Sequence, residues 1–195
     1  MISERGLNIS HDQIAKEAEL GVGTVYRRFP TLGDLFDELF QEQVELIVEQ
    51  AEAVLKIEDP WEGIRTFLES YFEQQAADRG LREYLLGHRA GTELARHARE
   101  RVLPVVSALV AQAHAAGKLH PDISASDFAV IPLLINPVVG ASEGPTPDLW
   151  RRWLAIILEG IATGPRTQAF PGRAPDADHV EEIIAKKSSR PNNRP

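Results

Sequence analysis

Along nearly the whole chain, apolar residues recur every three or four positions, and almost nowhere do they alternate with polar ones. A chain patterned this way can bury its apolar surface only by packing helices on one another, so the expected fold is all-α. The longest pattern runs from Thr31 to Ile57 and places Leu35, Phe36, Leu39, Phe40, Val44, Ile47, Ala51, Val54 and Leu55 on one face. Asp59, Pro60 and Glu62 form the next helix start: a capping oxygen, a proline in the first turn and an acid near the positive end of the helix. Leu81 to Arg89 reads as a shorter helix, and Thr92 to Ala116 as a longer one that Pro104 should kink or split. Gly117 closes it. Ser124 and Asp127 open a helix bent by Pro132 and Pro137, and Pro147 to Thr163 is the last strong one. From Gly164 onward the prolines and the run SSRPNNRP read as a tail, with one short helix around Val180, Ile183 and Ile184.

Packing so many helices requires a sizeable core, which 43% hydrophobic residues in 195 can supply. The absence of cysteine excludes disulfide scaffolds, thiolate metal sites and cysteine nucleophiles. The longest apolar run, Phe128 to Ile135, is broken by Pro132 and falls far short of the roughly 20 residues that a membrane helix needs. The opening MISERGLNIS lacks the basic, apolar and small-residue succession of a signal peptide, so the expected compartment is the cytoplasm, without a membrane partner. The net charge of −8 argues against a uniformly basic coat but leaves room for a small nucleic-acid-binding head on an acidic body.

Catalytic chemistry finds no foothold. His11, His88, His97, His114, His120 and His179 form no H-x-x-x-H pair, and Ser107 and Ser142 lack the G-x-S-x-G setting of a nucleophile. No glycine loop suited to phosphates is present. The expectation is no enzyme, no metal and no cofactor.

The segment from Ser10 to Phe29 has a different character. Ser10 and Gln13 make a capping box, and Ile14, Ala15 and Ala18 form the small inner face of a two-turn helix. Further on, Val25 and Phe29 give a second short helix a buried stripe and turn Val22, Gly23, Tyr26 and Arg27 outward. Two short helices meeting at a small residue make a helix-turn-helix. Its outward face carries a tyrosine hydroxyl and two adjacent guanidinium groups, which suit phosphates and guanine edges in a major groove.

The string IAKEAELGVGTVYRRFPTLGDLF resembles the helix-turn-helix and following helix of the TetR family of bacterial transcriptional regulators, a likeness that extends from Glu4 to Phe40. More loosely, AQAHAAGKLHPDISASDF resembles the stretch between the last pocket helix and the first dimerisation helix of many members. The resemblance implies a DNA-binding head over 1–40, an effector-binding and dimerisation domain over 41–164, and a tail over 165–195. It implies a homodimer on a double-stranded operator, released by a small-molecule effector. The DNA-facing set is then Ser10, Gly21, Val22, Gly23, Thr24, Tyr26, Arg27 and Arg28.

Three departures accompany the likeness. Glu19 stands where members usually have the turn glycine, Leu32 and Gly33 stand where many carry a phosphate-gripping lysine, and ISERG matches only the end of the first helix, leaving the head truncated. Residues 1–30 hold four Lys or Arg against four Asp or Glu, so weak DNA binding is expected of this chain.

Each of Trp61, Phe67, Tyr71, Phe72, Tyr84 and Phe128 taken singly is an ordinary core aromatic. Together with proline-bent helices and Arg65, His88 and Arg89 they are expected to leave a cavity. Its expected lining is Phe67, Tyr71, Tyr84, His88, Arg89, Val106, Leu109, Val110 and Phe128. Dimerisation is expected through the last two helices, with Trp150, Trp153 and Ile157 on one stripe and Leu149 and Ile156 on another. Two rival readings stay open: a helical sensor or interaction protein that has lost DNA binding, and a helical enzyme with an unrecognised site.

Overall fold

The computed structural model describes residues 2, 6–86, 93–141 and 148–164. These contain eight helices and no strand: α1 His11–Glu17, α2 Val22–Arg28, α3 Leu32–Val54, α4 Pro60–Ala77, α5 Arg79–Leu86, α6 Glu93–Ala115, α7 Ala125–Ala141 and α8 Leu149–Ile161. The chain is all-α, as its periodicity requires. The proline-rich segment from residue 165 onward lies outside the described residues, as does most of residues 1–5.

Local chemistry sets the helix starts. Thr31 caps α3: its hydroxyl accepts from the Asp34 backbone while the Asp34 carboxylate accepts from the Thr31 backbone and hydroxyl. Those bonds hold the Asp34 carboxyl below its usual range. Asp59 accepts from Trp61 N at 2.9 Å, with Pro60 as the first helical residue of α4. At the entry to α7, Asp127 accepts from both the backbone and the hydroxyl of Ser124, at 2.8 and 2.9 Å.

Pro104 does not split its helix, because α6 runs unbroken from Glu93 to Ala115. The carbonyl that Pro104 leaves without a donor belongs to exposed Glu100, where water can satisfy it. Pro132 and Pro137 likewise sit inside a continuous α7.

α3 is the spine. It continues through residue 40, where a domain boundary was expected, and packs on α6 and α4. The α4 helix carries Phe72 against Trp150 of α8, ring centroids 6.0 Å apart, and both side chains are fully buried. Trp150, Leu154 and Leu158 form the inner stripe of α8, while Trp153 and Ile156 are 47% and 45% exposed. This corrects the expected grouping of Trp150 with Trp153: a step of three residues stops about 60° short of a full turn, and Leu154, at a step of four, comes closer to it and takes the inner place. The end of α8 is tied back by His120 N to Ile161 O and Thr163 N to Lys118 O, around the bridge between Leu119 and Ala162.

Candidate functional site

α1 and α2 meet as a helix-turn-helix. Ala15 is fully buried, letting α2 approach closely, and Val25 is buried against it with Phe29 packed at the edge. The turn between them holds Glu19 at φ +55°, the one non-glycine residue with positive φ among the described residues. A side chain in the left-handed region costs roughly 1 kcal/mol, which a glycine there would avoid. The turn is nonetheless closed by Leu20 N bonding to Ala15 O at 2.9 Å.

Gly21, Val22, Gly23, Thr24, Tyr26, Arg27 and Arg28 are all exposed, forming one surface along α2. Arg27 donates from Nε to the Gly23 carbonyl one turn back, at 3.2 Å. Arg28 pairs with Glu38 at 3.3 Å and lies 5.7 Å from the Phe29 ring centroid. Both partners of that ion pair are well exposed, so it is weak and would yield readily to a phosphate. Ser10 is also exposed, with its hydroxyl occupied in capping α1, where it accepts from Gln13 N.

His11, which motif reading set aside, holds this surface in place. It is buried, its Nε2 lies 3.0 Å from the Phe29 carbonyl at the end of α2, and its ring stacks on Tyr26 at 4.2 Å and 22°. One side chain thus fixes both the end of α2 and its exposed tyrosine. No spacing rule flags a histidine at a first helical position, which is why sequence reasoning missed it.

A second site lies in the body of the fold. A cavity of about 170 Å³ opens between α4, α6 and α7, with Ile47 and Leu85 also in its wall. Phe67, Tyr71, Val106, Leu109 and Phe128 line it together, as placed from sequence. So do Ile64, Leu68, Ala95, Ala98, Val102, Leu103, Ala129, Pro132 and Leu133, and one charged residue, Arg99. Burial pushes the Tyr71 phenol up to about 12, and the Gln75 amide beside it pulls the other way.

Two expected members are elsewhere. Val110 is core beyond Leu109, the last α6 residue in the wall. Tyr84 turns toward the head: its ring packs on Phe40 at 5.1 Å and its hydroxyl donates to Asp37 at 2.6 Å. Neighbouring residues of a helix diverge by about 100°, so Leu85 reaching the cavity sends Tyr84 to α3. His88 and Arg89 lie outside the described residues. Arg65 is exposed and pairs with Glu62 and Glu69.

Residues 59–163, more than half of the chain, match the family model for the C-terminal domain of SbtR-like transcriptional regulators. The chain belongs to the TetR family of transcriptional regulators. The structure of the TetR transcriptional regulator SCO0520 from Streptomyces coelicolor is similar to it at 26% identity, covering 84% of this chain and 93% of that one with a TM-score of 0.56. A TetR transcription regulatory protein from Mycobacterium vanbaalenii is 28% identical, covers 83% and 88%, and gives 0.50. The ketosteroid transcriptional regulator KstR2 of Mycobacterium tuberculosis shares the fold at 19% identity, with coverage of 84% and 90% and a TM-score of 0.60. Among curated proteins no match was found.

In this TetR regulator a short helix joins the two sites. The α5 helix puts Gly80 against Ile2 and Phe40 so closely that a Cβ would come within 2.7 Å of the Ile2 side chain. Glu83 accepts from Leu7 N at 2.7 Å and from Arg79 at 2.8 Å. With Tyr84 on Asp37 and Leu85 in the cavity wall, α5 touches both the head and the cavity. No described helix is long and apolar enough to cross a membrane, and no described cluster of side chains has the makings of a metal site.

Proposed function

We propose that this regulator is a cytoplasmic repressor that binds a palindromic operator as a homodimer and leaves it when a small apolar effector enters the cavity. The observation that carries the DNA reading is the outward face of α2, where Tyr26, Arg27 and Arg28 stand exposed on a helix braced by His11. Arg27 is the base reader, and Tyr26 and Arg28 are phosphate contacts, with Gly23 allowing close approach. The head spans 1–40 and the body 41–164, the two sharing α3.

The mate is held at the outer face of α7 and α8, where Leu134, Trp153 and Ile156 are exposed on adjacent packed helices, with Leu149 and Ile157 at the margin. Apolar side chains of that size on neighbouring helices are buried best by a second copy across a two-fold axis.

An effector can release DNA only if it binds the releasing state better than the DNA-bound one, so cavity and head need a shared mechanical element. α5 supplies that element. A ligand pressing on Leu85 moves the helix that holds Leu7, Asp37 and Ile2.

The test is selection of bound genomic fragments followed by gel-shift titration at fixed salt. Arg27→Ala should cost about 1 to 3 kcal/mol and relax one base preference, whereas Tyr26→Phe should weaken all sequences alike. Unchanged affinity in both variants removes α2 as the reading helix.

A further inference from the structure

The cavity wall is almost wholly apolar, yet two of its three main helices, α4 and α7, each lead to a buried polar side chain. On α4 the lining residues Ile64, Leu68 and Tyr71 are followed one turn on by Gln75. On α7, Phe128 and Pro132 are followed one turn on by Asn136. Gln75 is fully buried and Asn136 is 5% exposed. Three of their polar atoms, Gln75 Oε1, Asn136 Nδ2 and Asn136 Oδ1, have no hydrogen-bond partner.

Gln75 and Asn136 stand one turn beyond the wall rather than in it, and Arg82 lies beside the ends of both stripes. Arg82, itself buried, donates to the Gln75 backbone carbonyl at 2.7 Å. Its guanidinium also lies 3.7 Å from where a Cβ on Gly140 would stand, one turn past Asn136 on the same face of α7. A protein interior does not ordinarily leave such amides unpaired, so a hydrogen-bonding group belongs there.

We propose that Gln75 and Asn136 form a polar pole at one end of the cavity, and that the ligand is an aryl-sized apolar molecule with one uncharged head that both donates and accepts hydrogen bonds. This rests on the reading of the cavity as the effector site. The size follows from the volume: a dry apolar cavity of about 150 Å³ takes up benzene, and 170 Å³ is of the same order. The head must donate, because two of the three open atoms are carbonyl oxygens, and it must accept, because the third is an amide N–H donor. A carboxylate would be drawn by the Arg82 guanidinium, which is already bonded to the Gln75 backbone carbonyl, but would meet the two open side-chain carbonyl oxygens lone pair to lone pair, and an ammonium would meet that guanidinium. A primary amide or an alcohol satisfies both demands.

The test uses the full chain and three probes of one shape, 3-phenylpropanamide, 3-phenylpropanoate and propylbenzene, titrated calorimetrically. The amide should bind about tenfold or more tightly than propylbenzene and more tightly than the carboxylate, as expected for a site that hydrogen-bonds its ligand. Asn136→Leu and Gln75→Met should each bring the amide down to the propylbenzene level, leave propylbenzene binding unchanged, and melt no lower than the parent chain. Equal binding of amide and hydrocarbon to the parent, as when ordered water alone satisfies the pole, overturns the inference. So does preference for the carboxylate, or an amide preference that survives both substitutions. Propylbenzene binding without discrimination defeats the pole alone. If none of the probes binds, the cavity is not the effector site and the pole falls with it.

Discussion

Replacing Val106 by tryptophan should fill the cavity, and replacing Leu109, one turn along the same wall, should not. Val106 is partly buried on the cavity side of α6, with open volume in front of it. Leu109 is already 2% exposed, and its methyl group lies 3.2 Å from where a Cβ on Gly63 would sit, so it has no free space to its rear. At roughly 24 cal/mol per Å³, removing the whole 170 Å³ is worth at most about 4 kcal/mol. An indole fills part of it and loses some of the gain to strain, leaving a net stabilisation of about 1 to 2 kcal/mol. In a chain of this length that is a rise in melting temperature of roughly 2 to 8 °C. Leu109→Trp should instead lose about 1 to 3 kcal/mol through overpacking. Urea denaturation with an unchanged slope measures both, and a gel shift with added effector should find Val106→Trp bound to DNA and deaf to the ligand. Destabilisation of Val106→Trp equal to that of Leu109→Trp would refute the open space in front of Val106. Continued response of the filled variant to an effector would refute the cavity as its site.

Ile156→Glu on the outer stripe of α8 should sediment as a folded monomer, while Trp150→Glu, which buries a charge between α4 and α8, should abolish cooperative unfolding; a dimeric Ile156→Glu places the interface elsewhere. Tyr84→Phe removes the 2.6 Å bond to Asp37 and should cost about 1.5 to 3 kcal/mol in a denaturant titration, toward the lower figure because Asp37 is only partly buried. It should also weaken the effector's hold over DNA affinity, and full stability with unaltered release would show that this contact carries no coupling. The Tyr71 phenol titrates near 10 in the unfolded chain and about 12 in the folded one, so the native state keeps its proton longer and stability should fall as pH rises through that window. The fall should be smaller in Tyr71→Phe when midpoints at pH 9 and pH 11 are compared; an identical fall would mean that the hydroxyl is solvated.

What was legible in the sequence follows from the range of the physics involved. Helix starts depend on residues two or three apart, so Ser10 and Asp59 announce their caps and both are found capping, while Ser124 opens α7 by donating to Asp127. Of the two outcomes expected at Pro104, a split does not occur, because the carbonyl it orphans belongs to exposed Glu100 and reaches water. Helix faces were legible where one side is buried, as in α2 and most of α3, where Leu39 alone of the expected stripe is exposed, and blurred in α8, where apolar residues cover two sides and only the packing of Phe72 on Trp150 selects the inner one. The cavity wall came half right for the same reason: Phe67, Tyr71, Val106, Leu109 and Phe128 are apolar at helical spacing, but which of the core residues face a void depends on distances between helices that no single helix encodes. The contacts joining head to body, Leu7 to Glu83, Asp37 to Tyr84 and Gly80 to Ile2, span 76, 47 and 78 residues, and each consists of groups common on any helix surface. They acquire meaning only when a helix of just eight residues is wedged between the spine and the cavity. A helix so short has little stability of its own, and its position is held almost entirely by those tertiary contacts. With Tyr84 packed on Phe40 and bonded to Asp37 and Leu85 in the cavity wall, any displacement of the helix must also displace α3, which is the property that a link between a ligand site and a DNA-reading head requires.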